Sequence, residues 1–348
     1  MHTQRNMHYW RNTQLKKYLL LLCIILLISL IPIGGCTPEE DESIGMAVEF
    51  MDHAACAYIS RDKGWFEEEG LKLNAYESYV TGMALSSALT RGDIQVAYLC
   101  LVPAINAYAN AGVPLKVVAG THKYGYGLVV DPENITVVTD LEKTGIKIGC
   151  VREGGAVDVL LHRTIDKYGL DEEKVLNNVQ RMNPAKIVLS IKMGQLDAAF
   201  LPEQWATMAE EFDFEMLLMS QDIWTDMQGS VLVVTEDLIN NHPETVGKLI
   251  KVSSKAMDWG NSNPDEAAEI MARQLSTVDA NVFPAEAADV ASDLEITPEI
   301  LKRSMERLDY TIDIDPDIVQ DTVDYIAELG YIKSSFDSGD ILDLRFIK

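Results

Sequence analysis

An α/β fold of two lobes is predicted by three observations. From residue 44 to residue 200, short apolar, β-prone runs alternate with amphipathic helical segments, the pattern of strands and helices packed in layers. Glycine and proline fall at the ends of these segments rather than inside them. At 348 residues the chain exceeds the usual size of one domain, and an apolar run at 230–235 can carry it back from a second lobe to the first.

The elements follow in order. Residues 46–50 read as a strand, followed by a helix over about 55–68 with Gly64 and Gly70 as breakers. A helix over 83–91 stops at Gly92, 94–99 is β-prone, and a helix over 103–110 begins at a proline and stops at Gly112. Strands are predicted at 115–119, 127–130 and 146–151, in a mostly parallel arrangement. Near Asp131-Pro132 a second unit begins, with helices over 156–168 and 184–193, a buried strand at 198–201, another apolar run at 215–219, and the returning strand at 230–235. From Pro243 onward the chain reads as mainly helical, with breaks at 261–264, Pro284 and Pro316. Two crossings between lobes imply a hinge with a cleft beside it.

The first residues address the chain rather than fold it. Residues 1–17 carry Arg5, Arg11, Lys16 and Lys17 with no acid, 18–31 are almost wholly apolar, and Ile33-Gly34-Gly35-Cys36 closes the run. That order is an export signal, and its apolar part is short of the roughly 20 residues of a membrane span. It resembles a bacterial or archaeal lipobox, which implies lipidation of Cys36 and a location on the outer face of the cell membrane. Residues 36–43 read as an acidic tether.

Net charge is −25, and removal of a basic leader makes the remainder more acidic still. Such a charge disfavours nucleic acid. Of five cysteines, Cys23 leaves with the leader and Cys36 is the acylation site. The odd set Cys56, Cys100 and Cys150 contains no CxxC pair, so disulfides are not expected to hold the fold. No G-x-S-x-G elbow or P-loop occurs.

Several stretches carry a family resemblance: "YISRDKGWFEEEGLKL" (58–73), "SSALTRGDIQVAY" (86–98), "VPAINAYANAGVPLKVVAG" (102–120), "LEKTGIKIG" (141–149), "IKMGQLDAAFLPEQW" (191–205) and "HPETVGKLIK" (242–251). In this order they resemble the solute-binding lipoproteins of ABC importers, in the nitrate, sulfonate, taurine and thiamine-precursor branch. The resemblance implies a type 2 periplasmic-binding-protein fold: two mixed sheets flanked by helices, hinge strands and an interlobe cleft. Its expected division is a signal peptide at 1–35, the tether at 36–43, the first part of lobe 1 at 44–128, lobe 2 at 129–229, and completion of lobe 1 with C-terminal helices at 230–348. It also implies a monomer that captures a small organic solute, sulfonate-, amine- or pyrimidine-like, and delivers it to a permease and its ATPase, without catalysis or cofactor. Other readings are a soft-metal or metal-chelate receptor, a thiamine-pyrimidine-synthase-like enzyme, and a sensor.

In open α/β sheets ligands lie beyond the carboxyl ends of strands, which together with the resemblance selects the loops 51–55, 79–83, 99–102, 121–126 and 152–155, with 201–205 and 227–229 opposite. The candidate ligand residues are Asp52, His53, Thr81, Gly82, Leu101, Tyr124, Tyr126, Arg152, Glu153, Gly154, Gly155, Glu203 and Gln228. Thr81-Gly82 and Gly154-Gly155 suit an anion at a helix start, and Arg152 supplies a cation. Asp52, Glu153 and Glu203 oppose an anion. Tyr79, Tyr124, Tyr126, Trp205 and Trp224 offer flat walls for a ring or amine. His53, Cys56, Cys100 and His122 are donor types that suit a soft or borderline metal.

Overall fold

The computed structural model describes residues 43–92, 94–276 and 294–347, and Ser43–Lys348 form one compact unit. The leader, Cys36 and Pro284 lie outside the described residues, as does the tether apart from Ser43, which already belongs to the first strand. Among the described residues no helix is long and apolar enough to cross a membrane.

Among the described residues, eleven strands make two sheets. The first holds β1 (Ser43–Glu49), β2 (Lys72–Tyr79), β3 (Val96–Cys100), β4 (Leu115–Tyr124), β10 (Gln228–Thr235) and β11 (Leu308–Asp309), in the order β11-β4-β10-β3-β1-β2. The second holds β5 (Tyr126–Val130), β6 (Ile148–Cys150), β7 (Val179–Arg181), β8 (Ala198–Pro202) and β9 (Glu215–Met219), in the order β7-β6-β8-β5-β9. Both sheets are mixed rather than mostly parallel: β1 pairs parallel with β2 and β3, but β10 runs antiparallel to β3 and β4, and β5 antiparallel to β8 and β9. The strands that bring the chain into or back out of a lobe enter against the direction of the βαβ units, and this produces the mixture.

β3, β5 and β8 are buried along their whole length, because helices cover both faces, and they read as unbroken apolar runs. β2 sits at the sheet edge, half exposed; its polar content hides it from a hydropathy reading. Ten helices of seven or more residues serve the argument below: α1 (Ala55–Asp62), α2 (Gly82–Arg91), α3 (Leu101–Ala111), α4 (Ala156–Tyr168), α5 (Pro184–Lys192), α6 (Glu203–Ala209), α7 (Pro243–Ser262), α8 (Pro264–Ser276), α9 (Pro298–Met305) and α10 (Pro316–Glu328). The helix expected over 55–68 is two pieces. Gly64 takes a left-handed conformation, φ 71°, which ends α1 and leaves a single turn at Trp65–Glu68. α3 starts two residues before Pro103, since proline is tolerated in a first turn where its missing N–H has no partner to lose.

The chain passes from sheet to sheet between Tyr124 and Tyr126, with only Gly125 outside both strands. That is three residues ahead of the expected division at 128. It returns through residues 220–227 and rejoins the first sheet at Gln228. The second crossing lies against the first: Tyr124 N–H donates to the Met227 carbonyl at 2.9 Å.

Candidate functional site

A cavity of about 50 Å3 opens between the two sheets at the carboxyl ends of their strands, room for about three or four water molecules on a one-sphere-per-water measure. The first lobe contributes Glu49 and Met51 after β1, residues 80–83 at the start of α2, and Cys100 and Pro103 at the start of α3. The second contributes Tyr126, Val151, Arg152, Gly155, Pro184 and Pro202 among others. Asn106 of α3 donates its side-chain N–H to the Gly154 carbonyl across the mouth at 3.0 Å. The walls therefore already touch, and a larger solute enters only if they part.

The polar floor is Glu49, the last residue of β1. Its side chain is fully buried and accepts both the Cys100 backbone N–H (3.1 Å) and the Cys100 thiol (3.1 Å). Burial, only partly offset by these bonds, raises its carboxyl pKa to about 7. Gly82 exists to admit it, because a Cβ there would stand 2.3 Å from Glu49 Oε1 and 2.7 Å from Pro103 Cγ. Thr81 spends its hydroxyl as the α2 cap, accepting from Ala84 N–H at 3.3 Å.

Behind the floor, His53 donates Nε2–H to the Gly125 carbonyl at 2.7 Å. Burial lowers its pKa to about 4, so the ring is neutral at pH 7 and Nδ1 carries a bare lone pair. That nitrogen is 3.7 Å from Cys100 Sγ and 3.9 Å from Glu49 Oε2. The hydroxyls of Tyr126 and Ser230, both buried, neighbour the thiol and each other.

The remaining candidates lie elsewhere. Asp52 points away from the cleft to Ser304 of α9, and its backbone N–H bonds Gln204 of α6 at 3.0 Å. Glu203 pairs with Arg307 at 2.9 Å and accepts from Thr207 at 3.1 Å. Gln228 spends its amide on the His122 and Ser230 carbonyls, Leu101 is core, and Tyr124, at φ 65°, belongs to the crossing. Glu153 sits on an exposed turn. Gly154 donates its N–H to Asp158 and its carbonyl accepts from Asn106, so that N–H is not free for an anion. Of the aromatic wall only Tyr126 lines the cavity; Trp205 is core, Trp224 packs edge-on against Tyr325, and Tyr79 bonds Glu77.

The metal candidates separate as well. Among the described residues, the His, Cys, Asp and Glu side chains whose donor atoms gather within 4.8 Å are Glu49, His53 and Cys100. Cys56, in the first turn of α1, is buried in the core, and its thiol pKa is pushed up to about 12 by burial. The His122 ring lies 4.3 Å from that of His53, but its Nδ1–H turns to the Lys123 carbonyl at 3.2 Å and its Nε2 has no partner. Glu49 falls inside the predicted strand 46–50 between apolar neighbours; an acid within an apolar run, close to a loop, is the signal in the sequence that points to it.

Asp52 yields a pH prediction. Burial raises its carboxyl to about 7, against the pull of the Ser304 hydroxyl, and the Glu203 charge raises it further. An acid whose folded pKa exceeds its unfolded one costs nothing below the unfolded value, about 3.9, and destabilises progressively until the folded value is passed. The stability of Asp52→Asn relative to wild type is therefore expected to rise between about pH 4 and 7, by at most about 1.4 kcal/mol per pH unit, and to level off above. Urea unfolding of both proteins at several pH values checks it; a difference that is flat or falls with pH contradicts it.

Two lobes joined by adjacent crossings, with a cavity between their strand ends, define a two-domain ligand-receptor fold. The chain belongs to the NMT1-like family, whose model matches residues 37–276. It is similar to a Brucella abortus protein, 25% identical over 268 residues that cover 75% of this chain and 80% of that one. It is also similar to the taurine-binding periplasmic protein of Escherichia coli, 24% identical over 231 residues, 65% of this chain and 69% of that one. Its fold matches the alkanesulfonate-binding protein SsuA of Xanthomonas axonopodis, solved with MOPS bound, at a TM-score of 0.70 and 14% identity, covering 87% of this chain and 98% of the other.

Proposed function

We propose that this chain is the solute-capturing component of an ABC importer, working outside the cytoplasm. Cys36 carries the lipid that holds it at the outer face of the membrane, and the partners are a permease and its ATPase. It acts as a monomer and performs no catalysis. Lobe closure converts occupancy of the cleft into a surface the permease can distinguish. The observation that carries the reading is the cavity between the strand ends of two sheets, with walls from both lobes.

The groups on those walls favour a small organic solute with two unlike ends. The Glu49 carboxyl on the cavity floor suits an amine, while Arg152 at the exposed rim suits an acidic end such as a sulfonate. Of the acids expected to repel such an end, Asp52 turns away to the Ser304 hydroxyl and Glu203 pairs with Arg307, while Glu153 stays on the exposed turn beside Arg152. A panel of taurine, an alkanesulfonate without an amine, a simple amine and nitrate tests this by thermal shift and native mass spectrometry. An amine-plus-acid compound is expected to raise the melting temperature in proportion to the logarithm of its concentration, and Arg152→Ala to weaken its binding about tenfold, the loss of one charge-assisted hydrogen bond, without changing the melting temperature of free protein. If no class of compound binds, the receptor reading fails.

A further inference from the structure

We infer that Glu49, His53 and Cys100 form a binding site for a borderline divalent ion of the zinc class, set in the floor of the cleft with one coordination position facing the solute. The inference rests on the receptor reading only for what fills that last position.

The donor triangle is the first ground. A tetrahedral ion with bonds of about 2.3 Å to sulfur and about 2.0–2.1 Å to nitrogen and oxygen holds its ligand atoms roughly 3.3–3.6 Å apart. Here the separations are 3.1 Å (Sγ to Oε2), 3.7 Å (Sγ to Nδ1) and 3.9 Å (Nδ1 to Oε2). Side-chain rotations of a few tenths of an ångström bring all three onto one centre.

The second ground is His53. Its Nε2–H is committed to the Gly125 carbonyl at 2.7 Å, which fixes the tautomer and aims the Nδ1 lone pair at the other two donors. Metal-binding histidines are oriented by this kind of second hydrogen bond. The third is a buried hydroxyl beside them: Tyr126 is 1% exposed, lines the cavity and stands next to the Cys100 thiol.

Access comes from the cleft, since Glu49 and Cys100 line it while His53 stands behind them. Three protein ligands and one open position are the arrangement of a metal centre that takes an exogenous donor. One carboxylate, one imidazole and one thiolate select zinc-class ions over magnesium or calcium, which prefer oxygen alone. Within this cleft a solute's amine, carboxylate or sulfonate would occupy the fourth position.

The test uses the full chain purified in detergent without chelator and titrated anaerobically with Co2+ and with Zn2+. Expected is one Co2+ per chain with a near-ultraviolet thiolate-to-cobalt band, displaced by Zn2+, and loss of that band in Cys100→Ala together with at least a tenfold weaker affinity in His53→Gln. Should Cys100→Ala fail to fold, the Cys56→Ala, Cys150→Ala double variant decides, because it keeps Cys100 and must retain the band. Absence of the band in wild type, or its loss in the double variant, overturns the site. Solute binding is measured in parallel on the metal-free protein. Solute bound with no cobalt band overturns the metal site and leaves the receptor standing; a band with no solute response supports the metal site and counts against the receptor.

Discussion

Arg307→Met is expected to destabilise the protein by about 3–5 kcal/mol, the cost of leaving a buried charge without its partner. Glu203 is 1% exposed, and Arg307 Nη1 meets its Oε1 at 2.9 Å while Nη2 holds Glu210 at 2.9 Å. Burial raises the Glu203 carboxyl above its ordinary range even with the guanidinium present, so removing Arg307 leaves only the Thr207 hydroxyl to oppose it. Arg307 follows α9 and Glu203 opens α6, so the pair fastens the C-terminal helices of one lobe to the other beside the crossings. Loss of stability should shrink as pH falls and Glu203 takes up a proton. Adding Glu203→Gln should recover most of the loss, because a neutral amide tolerates burial better than an unpaired carboxylate. Urea unfolding of the two single variants and the double variant reads the coupling; equal losses in Arg307→Met and the double variant would show that packing of the arginine stem, and not its charge, matters.

Gly229→Ala is expected to cost about 3 kcal/mol or more, or to prevent folding, through a clash that no side-chain rotation relieves. A Cβ at Gly229 would lie 2.5 Å from the Tyr124 carbonyl oxygen and 2.3 Å from His122 Cε1. The carbonyl is backbone and the ring is buried, so the two crossings would have to separate. The same change at Gly247, within α7 and with nothing within 4 Å of its Cβ, is expected to stabilise the protein by about 0.5–1 kcal/mol, since alanine loses less backbone entropy in a helix. Thermal unfolding of the pair checks both signs at once. If Gly229→Ala melts with wild type, the two crossings are not packed as tightly as the geometry requires.

These variants fall on features that differ in how readable they were. α4 and β9 have the bounds expected from the sequence, because each is a local pattern closed by a local stop: an amphipathic helix ended by Gly169, and an apolar run between polar neighbours. The edge strand β2 and the two-residue β11 went unread, since their strand character comes from pairing with distant partners rather than from hydropathy. Residues of the loops 51–55, 79–83, 99–102, 121–126, 152–155 and 201–205 line the cavity, and none of 227–229 does. Which side chains within them face it was not readable, because one residue's rotation on a loop sends a carboxylate toward the cleft or toward another helix. Asp52 turned to α9 and Glu203 to Arg307, while Glu49 remained in the cleft.

The sequence by itself determined the layered α/β character, most helix ends, the lobe-to-lobe return, and through its ordered motifs the family. All of these reside in patterns a few residues long, where propensity, capping and hydrophobic period agree. Tertiary structure alone decided that Glu49, His53 and Cys100 meet, that Gly82 and Gly229 are there to make room, and that Asp52 and Glu203 bond to Ser304 and Arg307 instead of lining the cleft. Apart from Glu49 and His53, four residues apart, those are contacts between residues tens to hundreds of positions apart, set by how two sheets pack and where the chain crosses between them, and no local pattern encodes which side chain occupies the space that results.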